Sequence, residues 1–145
     1  MIIYLDTCCY GRPSDDQKQF AIIAETAAIM AIIETCIIAG HCIVGSAFVT
    51  SEIGENTDII KKNDTKALFD KVVNKYVTNT NEVRAQELQT KGLRKMDSYH
   101  LAVAEFAGAD VLLTTDKDFI RICAKHNLSS VKVINPLTFL PEVIK

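Results

Sequence analysis

Short unbroken apolar runs recur along this chain, separated by longer stretches with helical spacing, and this alternation predicts its elements. Met1-Ile2-Ile3-Tyr4-Leu5 runs without a polar residue up to Asp6. Such a run reads as a strand buried on both faces of a parallel sheet. Gly11-Arg12-Pro13 breaks the chain. Ser14-Asp15-Asp16-Gln17 has the form of a capping box, with Ser14 as the cap and Gln17 reaching back. A long helix is predicted after it, ending before Gly40. His41-Cys42-Ile43-Val44 predicts a second strand, and Ser46 caps a helix carrying Phe48, Val49, Glu52 and Ile53. Asn63 or Asp64 is expected to start a helix with Ala67, Leu68, Val72 and Tyr76 on one face. Asn81 opens another, with Val83, Ala85 and Leu88, closed by Gly92. Asp97 is expected to cap a helix that Gly108 ends. Val111-Leu112-Leu113-Thr114 is a clear buried strand, Phe119 to His126 a helix, and Val131-Lys132-Val133-Ile134 the last strand. Pro136 and Pro141 punctuate the tail.

Strands alternating with helices predict an α/β fold: a three-layer α/β/α arrangement around a central, mostly parallel sheet. With 145 residues, 48% of them hydrophobic, the chain is expected to form a single domain over residues 1–145. The formal net charge of -2 excludes a polycation that coats nucleic acid, so any such contact must use local basic patches or bound metal. The five cysteines, Cys8, Cys9, Cys36, Cys42 and Cys123, show no zinc spacing and read as reduced thiols of a cytoplasmic protein. No charged leader with a cleavage site is evident. Phe20–Ala39 is the most apolar stretch, but Glu25 and Glu34 interrupt it, and it reads as a core or interface helix rather than a membrane span. Its isoleucines cover more than one face, which predicts a homodimer.

The candidate chemistry is acidic. In open parallel sheets, sites form beyond the carboxyl ends of the strands. Asp6 follows the first strand and Asp116 follows the Val111–Thr114 strand. Asp97 starts a helix, and Glu52 lies six residues past Ser46, under two helical turns from its strand. A lone aspartate after a strand is more often a turn residue or cap. Gathered together, such carboxylates repel unless protons or cations neutralise them. A hard divalent cation suits oxygen ligands and can drive phosphodiester displacement.

Six segments carry a further signal: Ile3-Tyr4-Leu5-Asp6-Thr7, Ser46-Ala47-Phe48-Val49-Thr50-Ser51-Glu52-Ile53, Met96-Asp97-Ser98-Tyr99-His100-Leu101-Ala102-Val103-Ala104, Gly108-Ala109-Asp110, Leu113-Thr114-Thr115-Asp116-Lys117-Asp118-Phe119, and Ile134-Asn135-Pro136-Leu137-Thr138-Phe139-Leu140. Taken together they resemble the PIN domain family, in particular its toxin nucleases of the VapC type. Their order and separation agree over nearly the whole length. The resemblance implies a metal-dependent endoribonuclease in which Asp6, Glu52, Asp97 and Asp116 bind Mg²⁺ or Mn²⁺. Thr114 and Asp118 would support that site, RNA would be the substrate, and an antitoxin protein would be a partner. Between Asp116 and Asp118, position in the turn favours Asp116 as the metal ligand and Asp118 as a helix-start residue or one lying behind the ligands.

Other residues are weighed against ordinary roles. His100 is expected to pack or hydrogen-bond within the helix layer, Tyr10 and Tyr99 to fill core or rim or to stack on an RNA base, and His41 and His126 to lie near the surface. Arg12, Lys91, Arg94, Lys95, Lys117 and Arg121 flank the acids and could meet phosphates, although each is first of all a solvated cation. The competing functions are a structure-specific DNA nuclease with the same metal site, an inactive PIN-like binding module, and a receiver-like Mg²⁺-binding module. The last lacks the acidic pair it needs after its first strand, since Thr7-Cys8 follow Asp6.

Overall fold

The computed structural model describes residues 1–144. The first strand, β1 (Ile2–Leu5), lies at the centre of a five-stranded, all-parallel sheet of order β3-β2-β1-β4-β5. The others are β2 (Cys42–Ser46), β3 (Lys75–Val77), β4 (Val111–Leu113) and β5 (Lys132–Ile134). Register places Ile3 beside Val111 and Ile43, so the ends of β1 and β4 finish level, and Asp6 N donates to Leu113 O at 2.9 Å.

Helices α1 (Thr7–Gly11), α2 (Phe20–Ala39), α3 (Ala47–Gly54), α4 (Ile59–Val72), α5 (Glu82–Thr90), α6 (Lys95–Phe106) and α7 (Lys117–His126) fill the connections between strands, and α8 (Pro136–Val143) follows β5. The α2 and α8 helices pack together, as do α5 with α6 and α4 with α1 and α3, giving the three-layer α/β/α architecture. One core cluster spans the sheet and both helical layers, with Ile3, Leu5, Ile43, Leu101, Leu112 and Phe119 nearly or wholly inaccessible. Gly45 lets α4 approach β2: a Cβ there would lie 2.5 Å from Phe69 Cζ and 2.8 Å from Val73 Cγ1. Gly40 ends α2 in the left-handed conformation (φ 74°), which a residue without a side chain adopts freely.

The α2 helix is long and apolar enough to cross a membrane by length and composition. Here Ile29, Ile32, Ile33 and Cys36 are buried in the protein, while Phe20, Ile37 and Ile38 face outward.

Several expected boundaries shift. Ser14 does not cap α2. It ends a 3-10 turn (Arg12–Ser14) into which Pro13 fits at the start, and Gln17 folds back on the carbonyls of Arg12 and Asp15. The α4 helix starts earlier than expected because the Asp58 carboxylate accepts from Lys61 N, leaving Asn63 and Asp64 exposed in mid-helix. Tyr76 belongs to the edge strand β3 rather than to a helix face. The two prolines of the tail do not exclude a helix: Asn135 caps α8, Pro136 occupies its first turn, and Pro141 lies within it. Asp97 is not the cap of α6. Arg94 holds that position with no side-chain bond, and Asp97 sits in the first turn.

Candidate active site

Three chain segments bring acids to the carboxyl edge of the sheet, and α3 adds a fourth. Asp6 leaves the end of β1 and caps α1, its Oδ1 accepting from Thr7 N at 2.8 Å. Its Oδ2 accepts from Thr114 Oγ1 at 2.8 Å, and Thr114 Oγ1 accepts in turn from Asp116 N at 3.1 Å. Thr114 therefore ties the acid after β1 to the acid after β4. Asp116 caps α7, its Oδ1 accepting from Asp118 N at 2.9 Å and Phe119 N at 3.2 Å. Glu52 projects from α3, which Ser46 caps as expected. Glu52 Oε1 accepts from Thr7 Oγ1 at 2.7 Å and meets His100 Nε2.

Asp6, Glu52, Asp97 and Asp116 line one cleft of about 480 Å³, with Thr7, Cys8, Arg94, Lys95 and Met96. A neighbouring hollow of about 240 Å³ shares Thr7, Cys8 and Glu52 and is lined also by Lys61 and Lys62. Asp118 does not line the cleft. It is exposed and pairs with Arg121 at 3.3 Å and Arg94 at 3.4 Å. Asp118 stands in the first turn of α7, the helix-start place expected of it, while Asp116 both caps the helix through Oδ1 and lines the cleft.

The electrostatics follow from this crowding. Burial, then the charges of Asp6 and Asp116, push the Asp97 carboxyl up to about 7, against weaker opposition from His100 and Arg94. Arg94 is the cation nearest the acids, 3.6 Å from Asp116, but its side chain is 69% exposed. Burial alone would raise Glu52, yet the hydrogen bond and charge of His100 and the Thr7 hydroxyl bring it below the ordinary glutamate value. Burial likewise opposes a charge on His100, and Asp6, Glu52 and Asp97 together outweigh it and raise its pKa. Acid oxygens of Asp6 and Glu52 and a ring nitrogen of His100 lie within 4.8 Å of one another. The surplus of carboxylate oxygens, with the strained titration of Asp97, fits a hard divalent cation.

His100 is buried and hydrogen-bonded, as expected, but its partner is a site acid rather than the helix layer alone. The signal was its spacing: three residues after Asp97 puts both on one side of α6. Nothing in the sequence pointed to Thr7 or Tyr4. Of the flanking cations, Arg94 and Lys95 reach the cleft, whereas Lys117 and Arg121 do not line it. Tyr99 packs at the rim, stacked 4.8 Å from Phe48 with its hydroxyl donating to Glu82, and Tyr10 is buried edge-on to Phe69. All five cysteines are free. Cys9, Cys36 and Cys123 are buried, and burial raises the thiol of Cys36 and pushes that of Cys123 up to about 12.

No curated protein matches the chain in sequence. Among solved structures, the fold is similar to a chain in the crystal structure of VapBC2 from Rickettsia felis bound to a DNA fragment from their promoter. The TM-score is 0.56 at 16% identity, covering 93% of this chain and 98% of that one. The family model of the PIN domain matches residues 3–125, a span that holds all four cleft acids. The chain belongs to the PIN domain family.

Proposed function

We propose that the protein is a divalent-metal-dependent endoribonuclease that hydrolyses RNA phosphodiester bonds, acting in the cytoplasm as the toxin of a toxin–antitoxin pair. Asp97 is the observation that carries the metal dependence. Its carboxyl, pushed up to about 7 by burial and its acidic neighbours, marks a cluster whose negative charge His100 and Arg94 only partly compensate. An oxygen-donor set of Asp6, Glu52, Asp97 and Asp116 suits Mg²⁺ or Mn²⁺. When bound, such an ion supplies Lewis acidity and the positive charge that in-line displacement at phosphorus requires.

The chain's own residues hold the geometry. Thr114 orients Asp6, and the α7 amides orient Asp116. Thr7 and His100 hold one oxygen of Glu52. Arg94 and Lys95 at the rim, and Lys61 and Lys62 in the adjoining hollow, offer cations to a phosphodiester backbone entering from either side. In the reaction the water oxygen bonds to phosphorus and gives up a proton, the phosphorus bond to the leaving sugar oxygen breaks, and that oxygen gains a proton.

RNA is preferred over DNA on the family resemblance. The antitoxin partner is supported by the likeness to VapBC2 of Rickettsia felis. A homodimer is supported by the outward residues of α2, where Phe20 is 85% and Ile38 79% exposed. The deciding experiment incubates the purified protein with RNA and DNA strands of one sequence in Mn²⁺, Mg²⁺ or chelator. RNA cleavage in metal alone is expected. Undiminished cleavage in chelator refutes the metal dependence, DNA cleavage alone selects the DNA nuclease, and inertness toward both selects a binding module.

A further inference from the structure

His100 is only 1% exposed, yet both ring nitrogens are engaged. Its Nδ1 lies 2.6 Å from Tyr4 Oη, Tyr4 Oη lies 2.8 Å from Ser46 Oγ, and Nε2 meets Glu52 Oε1. Ser46 Oγ already accepts from Val49 N at 3.2 Å as the cap of α3. Counting hydrogens gives this chain a direction. Each hydroxyl has one hydrogen to donate, and Tyr4 Oη is the acceptor within reach of Ser46. Tyr4 then donates its own hydrogen to Nδ1, and the proton of a neutral imidazole sits on Nε2, aimed at Glu52. The opposite tautomer reverses the run, leaves the Ser46 hydrogen without that acceptor, and turns a nitrogen lone pair onto a carboxylate oxygen. A doubly protonated ring also carries a hydrogen on Nε2. Donation from Nε2 to Glu52 Oε1 therefore holds in both charge states.

Glu52 needs such a hold more than its neighbours do. It reaches the cleft from α3, with one more rotatable side-chain bond than the three aspartates. Oε1 is held by Nε2 of His100 and by Thr7 Oγ1 at 2.7 Å, while neither donor engages Oε2. We propose that His100 is a positioning residue for Glu52: anchored by Tyr4 and Ser46, it holds Oε1 so that Oε2 is presented to the cleft. The chain joins β1, the end of β2, α6 and α3, four elements that meet only in the folded protein. The inference rests on the metal-dependent reading only for what Oε2 meets.

The test uses the full chain with His100→Gln, His100→Leu and Tyr4→Phe, read by Mn²⁺ titration with electron paramagnetic resonance, thermal melting, and ¹⁵N spectra of the imidazole. His100→Leu is expected to weaken Mn²⁺ binding by about 10–100-fold, the scale seen when a partner that orients a metal ligand is lost. His100→Gln, whose amide N–H reaches the place of Nε2–H, should recover most of that loss, and Tyr4→Phe should show a smaller one. The wild-type spectrum should place the proton on Nε2. A merely structural histidine would lower the melting temperature in the Gln and Leu variants alike with Mn²⁺ affinity unchanged, and that result overturns the proposal. So does an Nδ1–H tautomer, or a ¹⁴N coupling showing the ring nitrogen bonded directly to Mn²⁺. A wild-type protein that takes up no Mn²⁺ sinks the metal reading instead. The imidazole spectrum then decides alone: an exchange-protected Nε2–H supports the hold on Glu52, and Nδ1–H overturns it.

Discussion

Replacing Asp97 by Asn removes one charge from the cleft at nearly constant shape, and the structure sets the size of the effect. The Asp97 carboxyl titrates at about 7 in the folded, metal-free protein against 3.8 for the free group. An acid whose folded pKa is raised contributes stability that is present below the unfolded value and lost as pH rises through the folded one. Between pH 4 and pH 8 metal-free wild type therefore loses stability that the variant keeps. Taken whole, a shift of this size corresponds to about 4 kcal/mol. Water reaches the open cleft and screens the group, so ~1–2 kcal/mol is the realistic figure. The variant also gives up the favourable meeting of a carboxylate with the amino end of α6, worth ~0.5 kcal/mol. The net gain of ~1 kcal/mol corresponds to about 3 °C in melting temperature for a chain of this size. Calorimetry of chelator-treated proteins at pH 8 should show the Asp97→Asn variant melting higher by that amount, with the difference shrinking or reversing at pH 4. Adding Mn²⁺ should raise the wild type more than the variant, since the ion binds the native state. A variant that melts at or below wild type at pH 8 without metal would refute the account of a cluster under electrostatic strain.

The remaining predictions are independent of that one. Chelator should abolish RNA cleavage, and Asp6→Asn should lower the rate by at least about a hundredfold in a gel assay, as expected for losing several kcal/mol of metal catalysis. Asp116→Asn should abolish most activity and weaken Mn²⁺ binding with little change in melting, because Asn caps a helix as well as Asp does; Asp118→Asn should leave Mn²⁺ affinity within about tenfold of wild type by calorimetry. Gly45→Ala should destabilise by ~1–3 kcal/mol in urea unfolding, since the new methyl would overlap the ring of Phe69. Ile38→Glu should fold normally at its exposed position and halve the mass seen by light scattering, and a wild type that is already monomeric would count against the dimer.

The strands that place the site were legible because they are buried on both sides. Ile2–Leu5 and Val111–Leu113 are uninterrupted apolar runs, and each ends one to three residues before a cleft acid. Glu52 was legible through Ser46, whose cap sets the phase of α3. The edge strand β3 was not, because Lys75 and Tyr76 face solvent and three residues carry no periodicity. The last helix was hidden by two prolines, one of which sits where a helix tolerates it. The start of α4 was hidden because Asp58, Asn63 and Asp64 are equally good caps in isolation, and packing chose the first. Spacing from Asp97 sets which side of α6 His100 occupies, but its partnership with Tyr4 spans 96 residues of chain, beyond the reach of local pattern. Asp97 shows the limit from the other side: its place among the acids was foreseen, while its position within the helix was off by three residues.

The strand order also governs when a nascent chain could first acquire the cleft. With β1 between β2 and β4, Asp6 leaves the ribosome 108 residues ahead of Thr114, and its Thr114 and Leu113 contacts wait for β4. Until then one side of β1 has no neighbour and the fourth carboxylate does not exist. Fragments released before residue 111 therefore lack the completed cleft as well as a full sheet, and long-range closure of this kind is slow because chain entropy must be lost before the contacts repay it. A cell making such a protein has an interval, measured by translation itself, in which three of the four cleft acids have emerged and the cleft that gathers them has not formed.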